Sequence, residues 1–360
     1  MIRTNEIFQN RIQKVMNSAT DKNIKALWIT KPENKYYISG FQSSNYFILL
    51  TGIKNYLLTD FRYIENAEGL KDIYEIVLIS NQFTPFDFLR DHAQAGIGIE
   101  YKSITFDFYN DIIEKSSIKG VLSADNIIEK IREIKEQEEL DYINQAAKIA
   151  NQGFAHMLDF IKTGITEKEI AFELEFFMKR NGAEGLAFDS IIASGERGSL
   201  PHAAPTDRRI QKGDFITLDY GAKISGYCSD MTRTIGVGPL IPRQKEVYAL
   251  VLEAQKNALS QLKVGVRASD VDKIARDIIT ASGFGMYFGH GLGHGVGLEI
   301  HEAPTLIPSS AEVLEHNMVV TIEPGIYLPR DFGVRIEDLA VITNSDIITL
   351  SSVEKELIIL

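Results

Sequence analysis

Three of the chain's seven histidines, His290, His294 and His301, fall within Gly289–Glu302, GHGLGHGVGLEIHE, where glycine occupies every second position from Gly289 to Gly297. Two histidines four apart would form a zinc pair on a helix. Glycine costs about 1 kcal/mol relative to alanine at each helical site, so a run carrying five of them is not a helix. Extended backbone fits, and alternating glycine leaves room for close approach. In a strand, residues two or four apart share a face, so His290 and His294 can converge on one spot.

Two other segments supply partners. In GDFITLDYGAKISGYCSDMTRT, the apolar run Phe215–Leu218 leads into Asp219, Lys223–Gly226 offers a turn, and the chain returns through Asp230. The expectation is a hairpin on which Asp219 and Asp230 face each other across the ladder. Like charges so placed are unfavourable unless a cation lies between them. In NMVVTIEPGIYLPRDFGVRIEDLAVI, Met318–Ile322 runs into Glu323, Pro324-Gly325 turns, and Val334–Ile336 leads into Glu337. Each acid alone reads equally as a surface hairpin residue or, beside Arg335, as an ordinary ion pair. Four acids, each next to an apolar strand, together with a histidine on a glycine-rich strand, make a set.

Asp219, Asp230, Glu323, Glu337 and His294 offer oxygen-rich ligation with a single nitrogen. That donor set suits Mn, Zn, Co or Fe(II), and it lacks the thiolates of a structural zinc site. Four negative charges in one pocket match two divalent ions, which in such pairs lie roughly 3.5–4 Å apart and share a water or hydroxide. The ions lower the pKa of that water, making it a nucleophile near neutral pH.

The segments SGERGSLPHA, DFITLDYG, GYCSDMTRT, HGLGHGVGLEIHE, TIEPGIY and GVRIED resemble, in order and context, the motifs of the pita-bread metallopeptidases, specifically aminopeptidase P and prolidase (Xaa-Pro dipeptidase). The resemblance covers nearly the whole chain and implies an α/β (α+β) protein: an N-terminal creatinase-like α/β domain followed by a pita-bread domain with pseudo-twofold α+β halves. It implies two divalent ions, Mn2+ foremost with Zn2+ or Co2+ as alternatives. Asp219 would be a terminal ligand of one ion, His294 and Glu323 would hold the other, and Asp230 and Glu337 would bridge them. Glu323 would also act as general base and then acid. His202 and His301 match the family's metal-free active-site histidines, with His301 on the scissile carbonyl. His290 matches a pocket histidine near the residue after the cut, Arg335 would support the acids, and Tyr327 would lie close by. His92, His156 and His316 match nothing and read as surface or packing residues.

The activity so implied is exopeptidase cleavage of an N-terminal Xaa-Pro bond by a metal-bridging hydroxide, on small peptides with proline second. The phrases LPHA, DFITLDYG, GYCSDMTRT and LTDFRYIENA lean toward aminopeptidase P, with dipeptide-only prolidase as the alternative. A metal-free creatinase-like hydrolase and a non-enzymatic binding module on the same scaffold are remoter, since their relatives lack the ligand set filled here.

The elements that must position these residues are legible in outline. The length of 360 residues suggests two domains. We place the first at 1–123, a lid or oligomerisation module, and the catalytic domain at 124–360. In the first, Ala26–Thr30, Tyr46–Thr51, Tyr56–Asp60, Tyr74–Ser80 and Ile104–Phe108 read as strands, and Glu6–Met16, Arg62–Leu70, Pro85–His92 and Tyr109–Lys115 as amphipathic helices. A charged helix then carries Leu140, Ile143, Ala147, Ala150, Phe154 and Met157 at helical spacing. A second opens with a Thr166/Glu169 capping box and stops at Asn181-Gly182. Two more are expected, over Glu246–Leu262 and after a Ser269 cap with Asp272 at its third position.

Net charge is −11, which argues against a nucleic-acid partner. A single cysteine, Cys228, excludes an internal disulfide and points to a cytoplasmic setting. No apolar run has the length of a membrane span, and the N-terminus lacks the apolar core of a signal peptide. Family habit implies a homodimer.

Overall fold

A computed structural model of the chain describes residues 5–92 and 96–360. The chain divides into two compact units, Met1–Arg132 and Glu133–Leu360.

The first unit is built on a six-stranded mixed sheet of β1 (Ala26–Ile29), β2 (Tyr46–Leu50), β3 (Asn55–Thr59), β4 (Glu75–Leu78), β5 (Ile97–Ile99) and β6 (Val121–Ser123), in the order β4-β3-β2-β1-β5-β6. β1, β2 and β3 pair antiparallel, whereas β4, β5 and β6 join in parallel. Helices Pro85–His92 and Phe106–Ser116 bury Phe88, Leu89 and Ile112 against Trp28, Leu49, Leu58 and Ile97. Ile104–Phe108, expected as a strand, is instead the entry to a helix. The Thr105 hydroxyl accepts the Phe108 amide at 3.2 Å, so a local cap outcompetes sheet pairing for these β-prone residues. The sheet position falls to the shorter run Ile97–Ile99, flush with Ala26–Trp28.

The second unit repeats one plan twice. In its first half, helices Gln137–Phe160 and Glu167–Arg180 pack Ile149, Phe154, Ile170 and Leu174 onto Ile192, Ile216, Leu218 and Ile235 of the underlying strands. These strands are β7 (Gly185–Leu186), β8 (Ile191–Ser194), β9 (Phe215–Tyr220), β10 (Ala222–Ile224), β11 (Tyr227–Cys228) and β12 (Met231–Gly236). The Thr166/Glu169 capping box forms as expected, and Gly182 closes the helix with φ 102°.

In the second half, helices Pro242–Ser260 and Ala268–Ala281 cover β13 (Gly293–Gly295), β14 (Glu302–Leu306), β15 (Val319–Ile322), β16 (Gly325–Leu328), β17 (Phe332–Arg335), β18 (Asp338–Ile342) and β19 (Ile347–Thr349). Ser269 is not the cap of Ala268–Ala281: Arg267 holds that position. Asp272, placed by sequence as the partner of that cap, is buried, ion-paired to Arg276 at 2.8 Å, and accepts the Leu292 amide at 3.1 Å. The carboxylate is diverted from the helix start because the chain entering β13 needs an acceptor there.

Two long hairpins dominate this unit. In the first, β9 pairs with β12 and the tip β10–β11 continues in the same register, turning at Ser225-Gly226, both left-handed, with φ 47° and 77°. In the second, β15 pairs with β18, and β16–β17 continue the register to the tip.

Candidate metal centre and active site

Each hairpin opens where an acid sits. In the first, Thr232 stands opposite Asp219 and Met231 opposite Tyr220, so Asp230 stands opposite Gly221. Asp219 and Asp230 are therefore diagonal neighbours on one face, not directly opposed as the sequence suggested. The register is set by the two-residue turn, which is tighter than the four-residue turn read from Lys223–Gly226. A Cβ on Gly221 would come within 1.8 Å of the Ser229 carbonyl, so glycine is required where the strands close in. In the second hairpin, Ile322 pairs with Asp338 and Gly325 with Arg335, which puts Glu323 directly across from Glu337. Their amides leave this ladder: Glu323 N–H donates to Leu292 O at 2.8 Å and Glu337 N–H to Thr232 O at 3.1 Å. The latter bond joins the two hairpins.

His294 enters from β13. Its amide donates to Thr321 Oγ1 at 3.0 Å, and Thr321 in turn donates to Glu323 at 3.3 Å. The ring's Nδ1 meets Gly295 O at 3.0 Å; with the proton there, Nε2 is free to accept or ligate. That Nε2 lies 3.4 Å from Glu323 and 3.6 Å from Asp230. Ligand atoms of Asp230, His294 and Glu337 all fall within 4.8 Å of one another. Thr232 Oγ1 donates to Glu337 at 2.7 Å. Asp219 joins from the side, holding the Arg335 guanidinium at 2.5 Å.

The electrostatics follow from crowding in a buried place. Burial, then Glu337, Asp219 and Glu323, pushes the Asp230 carboxyl well above the usual range. Glu337 is raised likewise by burial, then Glu323 and Asp219. Burial also raises Asp219, although Arg335 pulls the other way. For Glu323 the bond and charge of His294 overcome burial and hold it low, while His294 is raised by the same contact against its own burial. A divalent cation would relieve this crowding, and hard carboxylate oxygens plus one imidazole nitrogen are a donor set that fits such an ion.

Around the acids runs a polar chain. Arg335 donates to the Tyr327 hydroxyl at 2.8 Å, Tyr327 meets His290 Nε2 at 2.9 Å, and His290 Nδ1 meets Gly291 O at 2.7 Å. Burial lowers His290, which favours the neutral ring that accepts the tyrosine proton. The ring also packs edge-on to Phe288 at 5.1 Å. His290 and His294 thus serve neighbouring spots: only His294 lies on the three-residue strand, and its register shifts just past that residue. His301 stands edge-to-face with His294 at 4.4 Å, exposed on its outer side, and lowered by burial and then by His294. His202 is exposed on a loop whose Pro201 carbonyl accepts from Arg335 at 3.3 Å.

The remaining histidines have other surroundings. His92 stacks on Phe88 at 3.9 Å, His156 bonds Glu173 at 2.7 Å, and His316 is exposed. Sequence reading missed Thr232 and Thr321, which orient Glu337, Glu323 and His294. Both flank acids at strand ends, the one signal that could have marked them.

Residues 141–344 match the model of metallopeptidase family M24, and residues 11–134 match the creatinase/prolidase N-terminal domain. The chain belongs to the M24 metallopeptidases. It is 40% identical to the Xaa-Pro dipeptidase of Pyrococcus horikoshii, over 98% of this chain and all of that one. Among solved structures, the Xaa-Pro dipeptidase from Bacillus anthracis superposes with a TM-score of 0.94 at 39% identity, covering 98% of this chain and 100% of the other. The X-Pro aminopeptidase from Thermotoga maritima superposes with a TM-score of 0.87 at 34% identity, covering 97% and 99%. The expected architecture holds: a creatinase-like α/β unit precedes a pita-bread unit of two similar halves, and the protein is a metallopeptidase. Among the described residues, no helix is long and apolar enough to cross a membrane.

Proposed function

We propose that this metallopeptidase hydrolyses the bond between an N-terminal residue and a following proline in small peptides. The observation that carries the reading is the convergence of Asp230, His294 and Glu337 within 4.8 Å, with Glu323 a further 3.4 Å contact of His294. Asp219, Asp230, His294, Glu323 and Glu337 would hold two divalent ions, Mn2+ foremost. Bound there, the ions would supply Lewis acidity, polarising the scissile carbonyl and acidifying a water beside it.

The chain's own residues would do the rest. Glu323, held low by His294, is the base that takes the water's proton and returns it to the leaving nitrogen. His301, on the outer edge of His294, would donate to the carbonyl oxygen as it gains charge. His202 and His290 would wall the space for the residue after the cut, and Arg335 keeps Asp219 and Tyr327 in place.

Proline suits such a site. An Xaa-Pro amide has no N–H and a fixed φ, which defeats proteases that grip a substrate as a strand. Activation of the carbonyl needs neither. The substrate's free amino group, set among acids, would confine cutting to the first bond.

The relatives at about 40% identity named Xaa-Pro dipeptidase weigh toward the dipeptide reading, whereas the motif phrases lean toward aminopeptidase P. Incubating the Mn2+-loaded protein with Ala-Pro and with a longer Ala-Pro-initiated peptide separates the two. Cleavage of Ala-Pro alone makes it a dipeptidase, cleavage of the longer peptide an aminopeptidase, and cleavage of neither overturns both. A cytoplasmic homodimer remains our reading of its setting, supported by the lone buried Cys228 and the family.

A further inference from the structure

We propose that Glu167, which lies outside the ligand set, is a positioning residue for His202, holding the loop that carries it by both feet. The inference rests on the reading of His202 as an active-site group.

Glu167 begins the helix Glu167–Arg180 and its side chain is fully buried. One carboxylate oxygen accepts the Ser194 amide at 2.8 Å and the Ser194 hydroxyl at 2.8 Å. The other accepts Arg197 Nε at 3.0 Å, the Thr206 amide at 3.0 Å and the Thr206 hydroxyl at 2.7 Å. Ser194 ends β8 and Thr206 lies beyond His202, so a single carboxylate closes the loop 194–206 at its base. Arg197 carries the clamp upward by donating to Ala204 O at 2.6 Å.

The loop's far side rests on the second hairpin, which carries Glu323 and Glu337. A Cβ on Gly333 would come within 1.9 Å of Gly198 O, so loop and β17 touch backbone to backbone. Pro201 O, one residue from His202, accepts from Arg335. Between these supports His202 and Leu200 are exposed at the loop's outer side, where a substrate would meet them. An eleven-residue excursion between Ser194 and Thr206 would otherwise sample many conformations, and the closing carboxylate removes most of that freedom. A buried charge carrying five hydrogen bonds is expensive to assemble and gives more than anchoring the helix start requires.

The test is a double-mutant cycle on the Mn2+-loaded full chain with an Xaa-Pro substrate: Glu167→Gln, His202→Ala and the pair, with hydrogen exchange of segment 195–205 as a second readout. Thr206→Val, which removes one hydroxyl and keeps the volume, stands in should Glu167→Gln fold poorly. The expected result is a loss in kcat/KM of about ten-fold for Glu167→Gln, with metal content unchanged, faster exchange in 195–205, and no further loss when it is added to His202→Ala. Additive losses in the double mutant, or unchanged exchange of the loop, would overturn the proposal and leave the peptidase reading standing. Full activity of His202→Ala would overturn the role of His202 and the proposal together. Failure of the wild-type protein to cleave any Xaa-Pro peptide is the separate outcome that removes the function proposed above.

Discussion

Glu323 and Glu337 stand directly opposite each other where the ladder of their hairpin opens, with Ile322–Asp338 paired on one side and Gly325–Arg335 on the other. Their amides turn to Leu292 and Thr232, which ties the hairpin to β13's approach and to the first hairpin. Two carboxylates are thus forced together by backbone register, and burial makes their joint ionisation costly without a cation.

The Arg335 guanidinium bonds the Asp219 carboxylate and the Tyr327 hydroxyl, and these partners predict how its loss reads out. Arg335→Met leaves Asp219 buried with its ion pair broken, which should lower unfolding stability by about 3–5 kcal/mol. Arg335→Lys keeps a charge but cannot fork to both Asp219 and Tyr327, so its loss should be smaller. Chemical unfolding of the metal-free proteins, followed by far-ultraviolet circular dichroism, checks the ranking; equal stabilities would refute it.

Tyr327→Phe severs Arg335 from His290 while keeping the ring. We expect kcat/KM to fall about ten-fold, the loss of roughly one orienting hydrogen bond. Metal content should not change, because the Tyr327 hydroxyl bonds His290 and Arg335, neither of them a proposed ligand. Steady-state kinetics beside metal analysis would show it, and an unchanged rate would mean the chain has no bearing on turnover.

How much of this was legible in the sequence follows from the range of the interactions involved. Apolar runs ending in Asp219 and Glu323 read correctly as strands, since hydrophobic burial is a local pattern. The Thr166/Glu169 cap read correctly for the same reason. Ile104–Phe108 did not, because its β-prone composition hid the Thr105 cap. Ser269 did not, because Asp272 answers to Leu292, twenty residues on. The diagonal placement of Asp219 and Asp230 depends on a turn whose tightness composition alone leaves open. Thr232, Thr321 and Glu167 reach Glu337, His294 and Ser194 across 105, 27 and 27 residues, so apart from the acid two residues from each threonine the sequence gives them no local mark.

Gly293 should prove as demanding as the histidine after it. A Cβ there would lie 2.0 Å from the Thr321 carbonyl, so Gly293→Ala must part β13 from β15 and carry His294 away from Glu323. Overpacking of this kind costs about 1–3 kcal/mol. Thermal unfolding should shift down, and Mn2+ affinity by calorimetry should weaken at least ten-fold; wild-type affinity would show that the strand can yield without moving the ligand.

A pH effect should come from the first unit. Lys35 is buried against the rings of Tyr46 and Phe47, and burial, opposed by Glu100 and Glu33, pushes it down to about 8 from an ordinary 10.5. Between those values the unfolded chain holds the extra proton, so stability rises with pH across that window, by up to the order of 3 kcal/mol. Lys35→Met should flatten the rise. Denaturation at a series of pH values from 7 to 10 measures it, and identical slopes in the two proteins would contradict the assignment.

The central claim is that the two hairpins and His294 exist to hold a pair of cations. Metal stoichiometry after reconstitution with Mn2+, measured on the wild type and on Asp230→Ala, tests it most directly. The account predicts two ions per wild-type chain, with both weakened together in the variant and hydrolysis lost. Two tightly held ions and full turnover in Asp230→Ala, or no ion in the wild type, would contradict it.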